Sequence, residues 1–194
     1  MPFFINFKKY NIMSCDISRG RIEPCKDSVG GLNAVYFINK GAIGTVTYDS
    51  TDLDVITSLG TSVPAFKFDI KGASTFTENI TSSRENGTTT FEQVLELQLT
   101  KLTKEDHKTI KLLAYGSPSI LVEDNNGNVF VSGLQHGLDV SGGTIVSGAS
   151  MGDMSGYTLT FSGMEKVPAN FIDAAGVSAA ADILSAGVTV TEGV

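Results

Sequence analysis

Three observations predict a mainly β protein, a β-sandwich or barrel of antiparallel strands with one flanking amphipathic helix at about 103–115. Side chains alternate between apolar and polar with a period of two over several segments, most clearly over Thr89–Leu99. The composition favours turns and short strands: 21 glycines, no tryptophan, and many Thr, Ser and Val residues. The period then changes to a helical one between Thr103 and Tyr115.

Each element has its own local signal. Leu32–Ile38 and Ile43–Tyr48 read as strands around the turn Asn39-Lys40-Gly41. A polar, acidic loop is expected over Asp49–Gly60. Phe66–Ile70 alternates strictly, as does much of Thr75–Ser82, with Phe76 and Ile80 the larger apolar residues. In the strongest strand, Leu95, Leu97 and Leu99 share one face while Glu96, Gln98 and Thr100 share the other. Such alternation marks a sheet with one face in a core and one toward solvent, a lumen or a partner.

The helix has a start and a stop. Thr103 is an N-cap, and Glu105 and Asp106 stand in the first turn where the helix dipole favours them. Ile110, Leu113 and Ala114 share a side, and Gly116 and Pro118 end the helix. Strands return at Ser119–Glu123 and Asn128–Gly133, joined through Asn125-Asn126-Gly127, the strongest hairpin signal in the chain. Leu134–Val140, Gly143–Ser147 and Tyr157–Glu165 supply further strands, and the chain leaves through Lys166–Ile172, which contains Pro168.

These readings divide the chain into an N-terminal extension or arm over 1–24, a β-sandwich domain over 25–172 and a C-terminal arm over 173–194. Met13-Ser14-Cys15 has the look of a protein start, so residues 1–12 read as an upstream extension that plays little part in the fold. The Ala/Gly/Ser/Val-rich end is open to two readings. One has a short helix near Ala179–Leu184 and a strand near Gly187–Thr191; the other has a mobile arm.

Composition narrows the function classes. At 194 residues, 41% hydrophobic and 18% charged, the chain is large enough for one domain with a real core. A net charge of −7 disfavours gripping a nucleic acid in a groove, yet suits a passage along which DNA slides without sticking. No apolar run approaches the roughly 20 residues that cross a bilayer as a helix. The apolar opening Met1–Ile12 has its lysines after the apolar part and no small-residue cleavage site, which makes it a poor signal peptide.

The motifs point away from catalysis. No phosphate-binding loop, dinucleotide fingerprint, nucleophile elbow or His-Glu zinc helix is present, so no cofactor is expected. Cys15 and Cys25 lack the spacing of a zinc or redox motif and read either as two thiols or as a disulfide closing a small loop. Asp49, Asp52 and Asp54 lack the loop spacing, central glycine and closing Glu of an EF-hand and read as a solvated loop. His136 has the chemistry of a base but no evident partner, and reads as a turn or lumen-facing residue.

The order of elements resembles the tail tube proteins of bacteriophages, especially the short single-domain type. Thr89–Gly116 is similar to the part of that family where a long strand feeds the helix. Gly152-Asp153-Met154-Ser155-Gly156-Tyr157, continuing to Pro168-Ala169, is similar to its last strand and exit. Cys25-Lys26-Asp27-Ser28-Val29-Gly30-Gly31 resembles the opening of structural proteins from phages of Bacteroides-like and Flavobacterium-like hosts. The likeness runs from residue 13 to 172 in element order.

The resemblance implies a non-enzymatic virion subunit, made in the host bacterial cytoplasm, that joins edge to edge into rings, typically of six. The rings stack head to tail into an open tube. Its implied partners are other copies of itself, other tail proteins and DNA in transit. Glu96 and Gln98 are then candidates for the lumen. Asp49, Asp52 and Asp54, with the arm Cys15–Val29, are candidates for ring stacking. Other readings are a capsid decoration or head–tail joining protein, the inner tube of a contractile injection system, and a carbohydrate- or peptide-binding sandwich. The last is disfavoured by the missing tryptophan and the scattered tyrosines.

Overall fold

The computed structural model describes residues 17, 19–70, 73–174 and 178–193. In chain order the strands are β1 (Leu32–Ile38), β2 (Thr47–Tyr48), β3 (Val55–Ser58), β4 (Val63–Asp69), β5 (Thr75–Ser83) and β6 (Thr88–Thr100). Then follow α1 (Lys104–Tyr115), β7 (Ser119–Asp124), β8 (Val129–Ser132), β9 (Asp139–Val146), β10 (Gly156–Glu165) and β11 (Asn170–Ile172). Helix α2 (Ala179–Ser185) and β12 (Val188–Thr191) complete the described order.

The strands form two stacked sheets, so the expected mainly β sandwich with a flanking helix is what the chain adopts. The larger sheet runs β12-β4-β1-β7-β8-β11-β3-β2, and the smaller β5-β6-β10-β9. Most pairings are antiparallel, but β11 lies parallel to β3 and β12 parallel to β4.

The larger sheet is covered on both faces. Along β1, Val35 and Phe37 join Leu95, Leu97, Tyr157, Leu159 and Phe161 of the smaller sheet in one core. Ala34, Tyr36 and Ile38 point the other way, into a second core closed by Ala179 and Ile183 of α2 and by Ala186, which caps that helix. A strand buried on both sides needs apolar residues at consecutive positions, which is why β1 and β7 read as continuous apolar runs. Each fully buried Leu or Ile in these cores contributes roughly 2 kcal/mol through removal from water.

Helix α1 is positioned by its cap. The Asp106 amide donates to the Thr103 hydroxyl at 3.0 Å, and the Tyr157 hydroxyl donates to the Thr103 carbonyl at 3.2 Å. Ile110 is its buried residue, and Leu113 packs beside it on the intersheet core.

Several elements differ from the expectation. The loop expected over Asp49–Gly60 contains β3, because Ile56 and Leu59 are fully buried in the second core. Of the strand expected at Ile43–Tyr48, Thr47–Tyr48 alone pairs. Leu134–Val140 and Gly143–Ser147 become a turn followed by one strand, β9, with an irregularity at Ser141. The exit segment carries β11.

The C-terminal stretch is part of the domain, not an arm beside it. Its helix and strand sit where the first of the two readings put them. Gly187, at φ +85°, lets the backbone pass against Gly60, whose carbonyl oxygen a β-carbon would strike. Residues 1–12, the start at Met13 and the Cys15 side of the cysteine pair lie outside the described residues; Cys25 is exposed.

Candidate functional site

Pairing register fixes which residues share the outer face of the smaller sheet. Thr77, Asn79 and Thr81 of β5 stand opposite Val94, Glu92 and Thr90 of β6. Gln98, Glu96, Val94 and Glu92 of β6 stand opposite Thr158, Thr160, Ser162 and Met164 of β10, and Thr158 meets Thr144 of β9. The result is a face of hydroxyls and amides whose charges on β6 are the carboxylates Glu92 and Glu96. No Lys or Arg falls at a face position of these strands.

Glu96 and Gln98 therefore lie together on this face, as the alternation predicts. Glu96 is exposed, whereas Gln98 is half-buried. The Gln98 side-chain amide donates to the Met154 sulfur, which reaches over it from the loop before β10. Its backbone amide donates to Ser74 Oγ at 3.1 Å.

Among the described residues, no further strand pairs with either edge of the smaller sheet. β5 and β9 are its outermost strands, and neither contains a proline or a lysine of the kind that blocks further pairing. Apolar side chains accompany these edges: Ile80 on β5 is 69% exposed and Ile145 on β9 is 53% exposed.

Asp49, Asp52 and Asp54 are committed to their own turn. Asp49 accepts from the Thr51 amide at 2.7 Å, from the Thr51 hydroxyl and from the Asp52 amide at 3.1 Å. The Thr51 hydroxyl bond, then those amides, hold the Asp49 carboxyl below its ordinary range. Asp52 accepts from the Asp54 amide at 3.0 Å, and the Asp54 carbonyl accepts from the Asn170 side chain at 3.1 Å. They shape the β2–β3 turn and present it at the surface. Among the described residues, no group of three His, Cys, Asp or Glu is arranged to hold a metal.

The partner absent from the sequence reading of His136 is Glu165. Their Nδ1 and Oε2 atoms lie 3.0 Å apart, and Glu165 also accepts from the Gln135 and His136 amides at 3.0 and 2.8 Å. Glu165 is 3% exposed and organises the turn before β9. A second buried polar group joins the two sheets. Gln93 accepts from Ser132 Oγ and the Gly133 amide, both at 2.8 Å, and donates to Glu78 Oε1 at 2.9 Å. Glu78 Oε1 also accepts from the Ala169 amide at 2.8 Å.

Sequence reasoning passed over this network, yet its signal was present. Glu78, Gln93 and Glu165 each occupy an inward position of an alternating strand, where an apolar residue is the norm. Comparison with protein-family models, with curated proteins and with solved structures finds no match.

Proposed function

We propose that this chain is a structural subunit of a phage tail tube, assembling with copies of itself into stacked rings around a channel. The observation that carries the reading is the open face of the smaller sheet, flanked by two outermost strands, β5 and β9, that have no further strand partner among the described residues. Neighbours pairing through β5 and β9 extend that sheet around a pore and cover Ile80 and Ile145. The face then lines the channel with hydroxyls, Glu92 and Glu96. Carboxylates repel a phosphate backbone, and without lysine or arginine there is nothing to hold DNA by ion pairing, so the duplex slides.

The β2–β3 turn with Asp49, Asp52 and Asp54 stands at the surface and is assigned to contacts between rings. Partners beyond the ring are further copies, other tail proteins and DNA in passage, with the virion tail as the place of action.

Negative-stain electron microscopy of the purified protein, with its mass in solution, tests this. Rings with a central hole, or tubes that lengthen with concentration, are expected. A monomer or compact trimer at all concentrations removes the tube reading and favours a capsid decoration protein.

A further inference from the structure

We propose that the N-terminal arm of one copy docks, through Arg19, Arg21 and Ile22, into an acidic-rimmed groove between α1 and the β4–β12 edge of a second copy. The inference rests on the self-assembly reading and names the surface through which copies grip one another.

The arm leaves its own domain uncovered. Every described residue from 17 to 31 is exposed, with Ile17 at 94% and Ile22 at 91%. Among the described residues, its hydrogen bonds to the sandwich gather at one point, the β7–β8 turn. There Asn126 accepts from the Val29 amide and donates to the Val29 carbonyl, both at 2.8 Å, and Asn125 donates to the Gly30 carbonyl at 2.9 Å. The anchor holds the arm's base and leaves residues 19–28 exposed to solvent. Residues 19–28 carry Arg19, Arg21 and Lys26 against Glu23 and Asp27, a small basic excess on a protein of net charge −7.

The groove has the opposite character. It holds about 590 Å³, and Phe66 and Phe68 supply apolar lining. Phe66 is 40% exposed there. Four carboxylates line it, on Asp69, Glu105, Asp106 and Glu192, against the single lysine Lys67. Lys67 is already engaged by Asp69 at 3.1 Å and Glu192 at 3.5 Å, so the acidic excess falls to Glu105 and Asp106. Beside the groove, β12 is the outermost strand of the larger sheet, and its free edge offers backbone groups to an extended segment. An apolar groove with an acidic rim and an open strand edge matches an extended segment carrying isoleucine and arginine. None of the described arm residues lines the groove of its own copy, and the charge and apolar match assigns the groove to the arm of another copy.

The test is charge reversal with rescue in the full chain. R19E/R21E and E105K/D106K are each followed by sedimentation velocity and electron microscopy across a concentration series. Each is expected to raise the concentration needed for assembly roughly tenfold, while the four-fold combination R19E/R21E/E105K/D106K restores it. Thermal melting checks that each variant remains folded; the arm reversal, at exposed positions, is expected to leave it unchanged. If wild-type protein assembles and R19E/R21E assembles equally well, the docking is overturned while the tube reading stands. The same holds if both reversals weaken assembly but the combination does not restore it. Wild-type protein that never assembles overturns both.

Discussion

The two sheets of this protein differ in what lies against their second face. The larger sheet has the intersheet core on one side and α2 with its surrounding loops on the other. The smaller sheet shares that intersheet core but leaves its other face open, lined by threonine, serine, Gln98, Val94, Met164 and the glutamates Glu92 and Glu96. One sheet is a scaffold whose substitutions act on stability. The other has a face free of folding duty, where substitutions act on what the surface meets.

Leu121→Ala tests this contrast most sharply. Leu121 is fully buried on the α2 side of the larger sheet, and its truncation is expected to cost about 3 kcal/mol. Thr160→Ala, on the second face of the smaller sheet, is expected to change stability by about 1 kcal/mol or less. Urea unfolding of both variants measures the difference, and comparable losses would abolish the distinction.

The intersheet side has its own weak point. Gln93→Leu keeps the volume but leaves the Ser132 hydroxyl and the Gly133 amide without their acceptor. A loss of about 2 kcal/mol is expected in the same unfolding assay. A neutral outcome would show that packing alone joins the sheets at that end.

The α2 side of the larger sheet also carries a pH signature. Tyr36 is 3% exposed and donates to Glu123 Oε2 at 2.8 Å. Burial first, and then this hydrogen bond, raises its phenol well above the ordinary value of 10.0. The folded state thus holds the proton more tightly than the unfolded chain does. This contribution is complete below pH 10 and is lost as pH climbs from there through the higher folded value. Tyr36→Phe is expected to cost about 1 kcal/mol at neutral pH and to flatten the alkaline loss. Denaturation midpoints measured on both sides of pH 10 check it, and an unchanged alkaline limb would refute it.

The same contrast explains which parts of the fold were legible in the sequence. β6 and β10 announce themselves because a half-buried strand must alternate, and α1 does so through Thr103 and its first-turn acids. β3 is hidden because Val55, Ile56 and Leu59 are set among Asp, Thr and Ser, and burial comes from a partner 115 or so residues later in the chain, β11. The C-terminal helix and strand left two readings open, since their alanines and valines gain a core through long-range parallel pairing with β4. At the site, parity alone placed Glu96 and Gln98 on the face opposite the intersheet core. That Met154 covers Gln98 depends on a distant loop, which no local pattern encodes.

The open face yields the prediction with the smallest effect on stability. E92K/E96K adds no buried group and is expected to shift unfolding by less than about 0.5 kcal/mol. Its consequence lies in what the face attracts. Carboxylates among hydroxyls give a phosphate backbone nothing to hold, whereas two lysines per subunit, repeated around an assembly, give it a band of positive charge. Fluorescence anisotropy with a labelled duplex at low salt is expected to show no retention by wild-type assemblies. It is expected to show retention by the variant that falls steeply as salt rises. Equal, salt-sensitive binding by both would mean that DNA is gripped elsewhere on the molecule. The proposed part of this face's acidity in DNA passage would then fall.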